Sequence, residues 1–147
     1  MTAPTICQDR RPIRGVVFDL DGLMFNTEEV FHRAGDELLK RRGHRMTREL
    51  LSRMMGRRAR ESFAALIAEL QLSETVDALL AESEELFRAM LETELAPMPG
   101  LFELLAELES RGLPKAVATS SARPYLLNIL NRFELEPRFA FTLTAED

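Results

Sequence analysis

Three short apolar runs separated by long helical patterns set the tightest limit on what this chain can fold into. The runs are Ile13-Arg14-Gly15-Val16-Val17-Phe18-Asp19, Lys115-Ala116-Val117-Ala118-Thr119 and Phe139-Ala140-Phe141-Thr142-Leu143, each rich in β-branched, aromatic or small apolar residues. Parallel strands need a crossover connection, and a helix supplies it, so strands alternating with helices point to an α/β fold built on a parallel sheet. Strands buried on both faces read as continuous apolar runs. Val16-Val17-Phe18 has that character and is expected to be buried.

The stretch between the first two strands is helical throughout. Thr27 is placed to cap a helix whose first turn carries Glu28 and Glu29, whose apolar positions are Val30, Phe31, Ala34, Leu38 and Leu39, and which closes on Lys40-Arg41-Arg42 before Gly43. Acids first, bases last and a glycine beyond the end suit the helix dipole and a left-handed cap. A short second helix is expected from about Thr47 to Met55, stopping at Gly56. A third carries Phe63, Leu66, Ile67 and Leu70 on one face. A long fourth begins near Ser73 with a stripe through Val76, Leu79, Leu80, Phe87, Met90 and Leu91. After Pro97, a fifth helix from Gly100 to Arg111 is expected to pack Leu101, Leu104, Leu105 and Leu108, and a sixth follows Pro124.

One crossover needs one helix, and five helices lie between the first two strands, four more than a crossover requires. Residues 27–95 are therefore expected to form an inserted helical subdomain, with residues 1–26 and 96–147 forming the α/β core. Pro97, Pro99 and Gly100 have the stiff, turn-rich composition of a hinge.

Composition excludes several classes of function. With 24 acidic against 19 basic residues the net charge is −5, which argues against binding nucleic acid by bulk charge. No run approaches the roughly 18 apolar residues of a membrane-spanning helix, so no membrane partner is expected. A single cysteine, Cys7, forms no internal disulfide, and residues 1–12 lack the apolar core of a secretory signal, so a cytoplasmic location is expected. Two histidines and one cysteine do not make a zinc site.

The chemistry concentrates at strand ends. Phe18-Asp19-Leu20-Asp21-Gly22 places two carboxylates one residue apart at the carboxyl end of the first strand, where open parallel sheets bind ligands. One carboxylate can attack phosphorus and a second can serve as acid and base, and a pair of acids attracts a hard divalent cation. The same residues also compose a common turn. A calcium loop fails on spacing, because Val30 stands at the twelfth position where a bidentate acid is required. The second strand ends in Thr119-Ser120-Ser121, whose hydroxyl and backbone N–H groups suit a phosphate, with a helix cap as the alternative for Thr119.

These segments resemble the haloacid dehalogenase-like phosphohydrolases, in particular the β-phosphoglucomutase-like phosphatases with a helical cap. Gly15 through Glu28 is similar to the family's first motif with the start of its cap, Pro99-Gly100 to the return into the core, and Val117-Ala118-Thr119-Ser120-Ser121 to its second motif. The resemblance implies a Rossmann-like core with an inserted four-helix cap and a Mg²⁺-dependent phosphomonoester hydrolase acting on a small phosphorylated metabolite such as a sugar phosphate. It implies that Asp19 is the nucleophile that becomes an aspartyl-phosphate and that Asp21 is the general acid and base. Mg²⁺ would sit on the Asp19 carboxylate and the Asp21 backbone carbonyl, while Thr119 and the backbone N–H of Ser120 bind the phosphoryl group.

Substrate choice in the family lies largely in the cap. Arg57, Arg58 and Arg60, in Gly56-Arg57-Arg58-Ala59-Arg60-Glu61, could pair with a substrate anion or form a solvated basic surface. Phe31 stands where the mutase subgroup carries a cap histidine, with His32 one position off, which favours hydrolysis over phosphosugar mutation. The family's third motif, a lysine, and its fourth, a cluster of acids, follow the strand that reads Phe139 to Leu143 here. The sequence reaches Ala145-Glu146-Asp147 without them, and Lys115 and Lys40 are poorly placed as substitutes. The expectation is an N-terminal portion with an incomplete core, weak or inactive alone, and the alternative is a non-catalytic binding module.

Overall fold

A computed structural model describes residues 12–54 and 58–147. The chain divides into two compact units, one formed by the chain up to Leu20 together with Pro99–Asp147, the other by Asp21–Met98.

The first unit is α/β. Its strands are β1 (Val16–Phe18), β2 (Lys115–Ala118) and β3 (Phe141–Leu143), all parallel, in the order β1-β2-β3. Val17 pairs with Ala116 and Ala116 with Phe141, so these three share a row on one face, while Phe18, Val117 and Thr142 occupy the other. β2 is the central strand and buries Ala116 and Val117. The expectation that the first strand is buried needs correction: Val17 is 64% exposed, as are Phe141 at 56% and Leu143 at 46% on the same face. β1 and β3 are the edges of this sheet, and an apolar sequence alone does not say which strand lies in the middle.

The third strand is also shorter than its sequence pattern. A 3-10 turn over Glu136–Arg138 precedes it, and Phe139 leaves the ladder to set its ring edge-on to Phe18, with centroids 6.0 Å apart. The helices of this unit that follow its insertion are α5 (Leu101–Ser110) and α6 (Arg123–Arg132), numbered in chain order after the four of the second unit. α5 begins after Gly100, whose φ of 84° favours glycine, and buries Leu101, Leu105 and Leu108. Leu104, expected in that core, is 47% exposed: Leu101, Leu105 and Leu108 face inward, and Leu104 lies about 100° around the helix from Leu105.

The second unit is helical. It contains α1 (Thr27–Lys40), α2 (Arg48–Met54), α3 (Ala59–Leu70) and α4 (Val76–Glu94). α1 and α3 both pack on α4, and α2 packs on α3. Their shared core holds Ala34, Leu38, Leu39, Leu50, Phe63, Leu66, Leu79 and Leu86. The α1 cap position belongs to Asn26, not Thr27; Thr27 is the first helical residue, is buried, and its Oγ1 accepts from the Gly22 N–H at 3.1 Å. α4 starts at Val76 with Thr75 as its cap, accepting from the Ala78 N–H. The basic end of α1 does more than meet the dipole. Arg42 donates to the Leu38 carbonyl at 2.7 Å and pairs with Glu74 and Glu82, tying the end of α1 to α4 and the turn before it. Among the described residues no helix is long and apolar enough to cross a membrane.

Candidate active site

Asp19 follows the last residue of β1, and Thr119 the last residue of β2. Because Phe18 is in register with Val117 and the strands are parallel, both residues emerge at the carboxyl end of the sheet, one position out of step. Asp19 is exposed, and its Oδ1 accepts from the Leu20 N–H at 2.8 Å, which fixes the carboxylate over the turn that leaves the strand. Thr119 is half-buried. Its N–H donates to the Leu143 carbonyl at 3.0 Å, extending the β2–β3 pairing past the named strands, and its Oγ1 accepts from the Ser121 N–H at 3.0 Å. Ser120 lies on the exposed apex of that turn.

The loops after β2 and β3 are joined. The Ala145 N–H donates to the Ser121 carbonyl, and Glu146 accepts from the Arg123 N–H in the first turn of α6. Asp147 accepts from the Thr144 N–H at 2.8 Å and pairs with the Arg123 guanidinium. The hydrogen bonds from Thr144 hold both Glu146 and Asp147 below the usual carboxylate range. These two acids match no motif in the sequence. Their part in binding the two loops had no pattern to reveal it, since it depends on where the turn after β3 meets the start of α6.

Asp21 opens the second unit, two residues beyond Asp19. It is half-buried and bridges to Phe25 in a tight turn, where the Gly22 N–H donates to the Phe25 carbonyl at 3.0 Å. Gly22 has a φ of 73°, and a Cβ there would come within 2.7 Å of the Glu28 side chain. Backbone geometry therefore requires the glycine of the Asp19-Leu20-Asp21-Gly22 segment. Among the described residues no cluster of three or more potential metal-ligating side chains is present.

The basic cap residues are dispersed. Arg60 is exposed and its guanidinium pairs with Asp77 of α4, which raises the arginine's proton affinity and lowers that of the acid. Arg58 is the exposed residue preceding α3, and Arg57, with the Gly56 helix stop and Cys7, lies outside the described residues. Lys115 is buried at the amino end of β2, the end opposite Thr119, with its Nζ 3.0 Å from Glu109. Phe31 is 46% exposed and stacks edge-on with Phe87 at 5.7 Å.

A family model described as haloacid dehalogenase-like hydrolase matches residues 16–147. The chain belongs to the haloacid dehalogenase-like hydrolases. It is 31% identical over 114 residues to the mitochondrial (DL)-glycerol-3-phosphatase 1 of Arabidopsis thaliana, a match covering 76% of this chain and 38% of that protein. It is 28% identical over 127 residues to the phosphorylated carbohydrates phosphatase of Thermotoga maritima, covering 86% and 59%. Among solved structures, a beta-phosphoglucomutase-like protein of Thermotoga maritima superposes with a TM-score of 0.76 at 26% identity, covering 91% of this chain and 62% of that one. The chain thus spans about half the length of the curated relatives it matches.

Proposed function

We propose that this haloacid dehalogenase-like chain contributes the nucleophile and phosphate-binding loops of a phosphomonoester hydrolase for a small phosphorylated metabolite, a sugar phosphate or polyol phosphate. The observation that carries the proposal is the placement of Asp19 and Thr119 at the same end of two parallel strands paired in register. Relatives named as phosphatases of glycerol 3-phosphate and of phosphorylated carbohydrates support the substrate class.

In this reading an Asp19 carboxylate oxygen attacks phosphorus, and the bond from phosphorus to the substrate's ester oxygen breaks. Asp21, protonated, gives its proton to the departing alkoxide. The resulting Asp21 carboxylate then takes a proton from the water that attacks the aspartyl-phosphate, releasing inorganic phosphate and regenerating Asp19. The Thr119 hydroxyl and the Ser120 N–H donate to the phosphoryl oxygens, where charge accumulates in the transition state. The Leu20 N–H on Asp19 holds one carboxylate oxygen and so orients the other.

Mg²⁺ would be held by the Asp19 carboxylate and the Asp21 backbone carbonyl. These are two hard oxygen donors, and a small protein donor set fits Mg²⁺, which keeps several waters and takes further ligands from phosphate. Bound there, the ion would offset the charge between nucleophile and phosphate. We further propose that the helical unit is the cap that selects substrate, with Arg58, Arg60 and Arg57 as anion-pairing groups. The pairing of Arg60 with Asp77 means a substrate must compete for that guanidinium. Phe31 in place of an acid–base histidine supports hydrolysis over mutation.

The test is phosphate release from a panel of sugar phosphates and glycerol 3-phosphate, with and without Mg²⁺, by the full-length gene product. Asp19→Asn is expected to lower turnover by about a thousandfold or more, the scale of losing a covalent nucleophile. Release unchanged by Asp19→Asn would overturn the assignment.

A further inference from the structure

Resting on the phosphatase reading above, we propose that Glu146 is a positioning residue for phosphoryl transfer. From the loop after β3 it fixes the loop after β2, and so aims the Thr119 hydroxyl and the Ser120 N–H at the phosphoryl group. Both loops belong to the α/β unit.

The role arises from a gap in the local sequence. α6 begins at Arg123, and the first N–H groups of a helix have no partner within it. The residue before it is Ala122, whose side chain accepts nothing, and Pro124 brings no N–H of its own. The Arg123 N–H is satisfied from the other loop, by the Glu146 carboxylate, with Oε2 at 3.0 Å and Oε1 at 3.3 Å. Glu146 is held in turn. Thr144 is buried, and its Oγ1 lies 2.8 Å from the same Oε2 and 2.9 Å from Asp147 Oδ2. Asp147 pairs with the Arg123 guanidinium, which closes the arrangement.

The pinned groups alternate along the phosphate loop. The Thr119 N–H donates to the Leu143 carbonyl, the Ser121 carbonyl accepts from the Ala145 N–H, and the Arg123 N–H donates to Glu146. Ser120, between the first two, is exposed, and among the described residues nothing accepts from its N–H. Inside the loop the Ser121 N–H donates to Thr119 Oγ1 at 3.0 Å, so a shift of Ser121 would carry the hydroxyl with it. Two of the three ties join backbone to backbone. The third depends on one side chain.

A donor is worth most to catalysis when it is already aimed at the place where charge develops. A loop loose at its α6 end would have to be ordered in every turnover, and a misplacement of about 1 Å can cost about a hundredfold in rate. Because one oxygen, Oε2, receives both the Arg123 and the Thr144 bonds, the role needs an acceptor at that place and not a negative charge.

Two substitutions separate acceptor from charge. Glu146→Gln keeps the length and an oxygen that can stand where Oε2 stands; Glu146→Asp keeps the charge on a side chain one methylene shorter. Both are assayed in the full-length gene product with a sugar phosphate that the parent hydrolyses. Glu146→Asp is expected to lower kcat by about tenfold or more with KM within about threefold, since the aimed donors act on transition-state charge. Glu146→Gln is expected to stay within about threefold of the parent in both constants. Amide hydrogen exchange at Arg123 reads the tie without activity, and should quicken in Glu146→Asp alone. Thr144→Val releases Glu146 from its other side, should move kcat and Arg123 exchange the same way, and serves if Glu146→Asp does not fold. Parental kcat in the released variant overturns the positioning role. So does a loss without faster Arg123 exchange, and so does an equal loss in Glu146→Gln, which would assign the effect to charge. Each of these leaves the phosphatase reading standing, since that reading falls only if turnover is insensitive to Asp19→Asn.

Discussion

At the scale of single residues, the strand-end side chains that carry the proposed chemistry were readable before any fold was known. Asp19 and Thr119 sit directly after apolar runs, so recognising the runs places the residues. What could not be read was how the backbone around them is held. Gly22 is the clearest case: its φ of 73° lies in the left-handed region, where an L side chain costs about 1–2 kcal/mol. The nearby Glu28 atoms are at the far end of a flexible chain and can swing away, so backbone strain, not collision, decides the outcome. Gly22→Ala is expected to destabilise the protein by about 1–2 kcal/mol. Urea unfolding would show it as a lower midpoint with an unchanged far-UV spectrum. A variant as stable as the parent would mean the turn relaxes to a different conformation. Thr27 illustrates the same limit, because its hydroxyl looked like a helix cap in sequence yet serves the Gly22 N–H instead.

At the scale of elements, helix positions followed from apolar spacing, and their ends and partners did not. The five helices between β1 and β2 were legible because each repeats its apolar residues every three or four positions. The connection between the two ends of the helical unit left no such period. There the Asn26 side chain spans 68 residues of sequence, its Nδ2 donating to the Glu94 carbonyl at 3.1 Å, and it spans 70 to reach the Ala96 N–H, which donates to its Oδ1 at 2.8 Å. The Asn26 N–H donates to the Ala96 carbonyl, and the Met98 N–H to the Met24 carbonyl, so the segments entering and leaving the unit run side by side. A lone asparagine before a helix reads as an ordinary cap, yet this side chain makes no cap hydrogen bond. Asn26→Ala removes two side-chain bonds and leaves the backbone one, and is expected to cost about 1–2 kcal/mol. Hydrogen exchange should report it locally, as faster exchange of the Ala96 amide than of amides within α3. Unchanged protection at Ala96 would show that the backbone pairing holds the segments unaided.

At the scale of the whole molecule, the α/β class and the parallel sheet could be argued from alternation alone, while burial of the sheet could not. Alternation fixes which elements exist, but strand order decides which are covered, and Val17, Phe141 and Leu143 remain exposed on one face. Charge behaves the same way, since a net −5 predicts no particular pairing, yet several acids are drawn into ion pairs. Glu109 is the strongest case. Arg138 donates to both its carboxylate oxygens at 2.8 Å, and Lys115, buried at the amino end of β2, lies 3.0 Å away. The arginine hydrogen bonds, then that of Lys115, lower the Glu109 pKa from 4.5 to about 2. Glu74 and Glu82 are lowered as well, Glu82 chiefly by Arg42, and Asp36 chiefly by Lys40. A carboxyl group whose folded pKa lies below its unfolded value takes up a proton on unfolding, so its contribution is complete above the unfolded value. That contribution fades as pH falls towards the folded value. Stability is therefore expected to be flat near neutrality and to decline from about pH 4.5 downward, the Glu109 share disappearing by about pH 2. Glu109→Gln removes that titration: it should lower the melting temperature at pH 7 and bring the variant and parent curves together as the pH approaches 2. Melting temperatures measured from pH 7 to pH 2 for both proteins would test this. A constant gap between the two across that range would show that Glu109 stabilises the α/β unit by packing alone, without its charge.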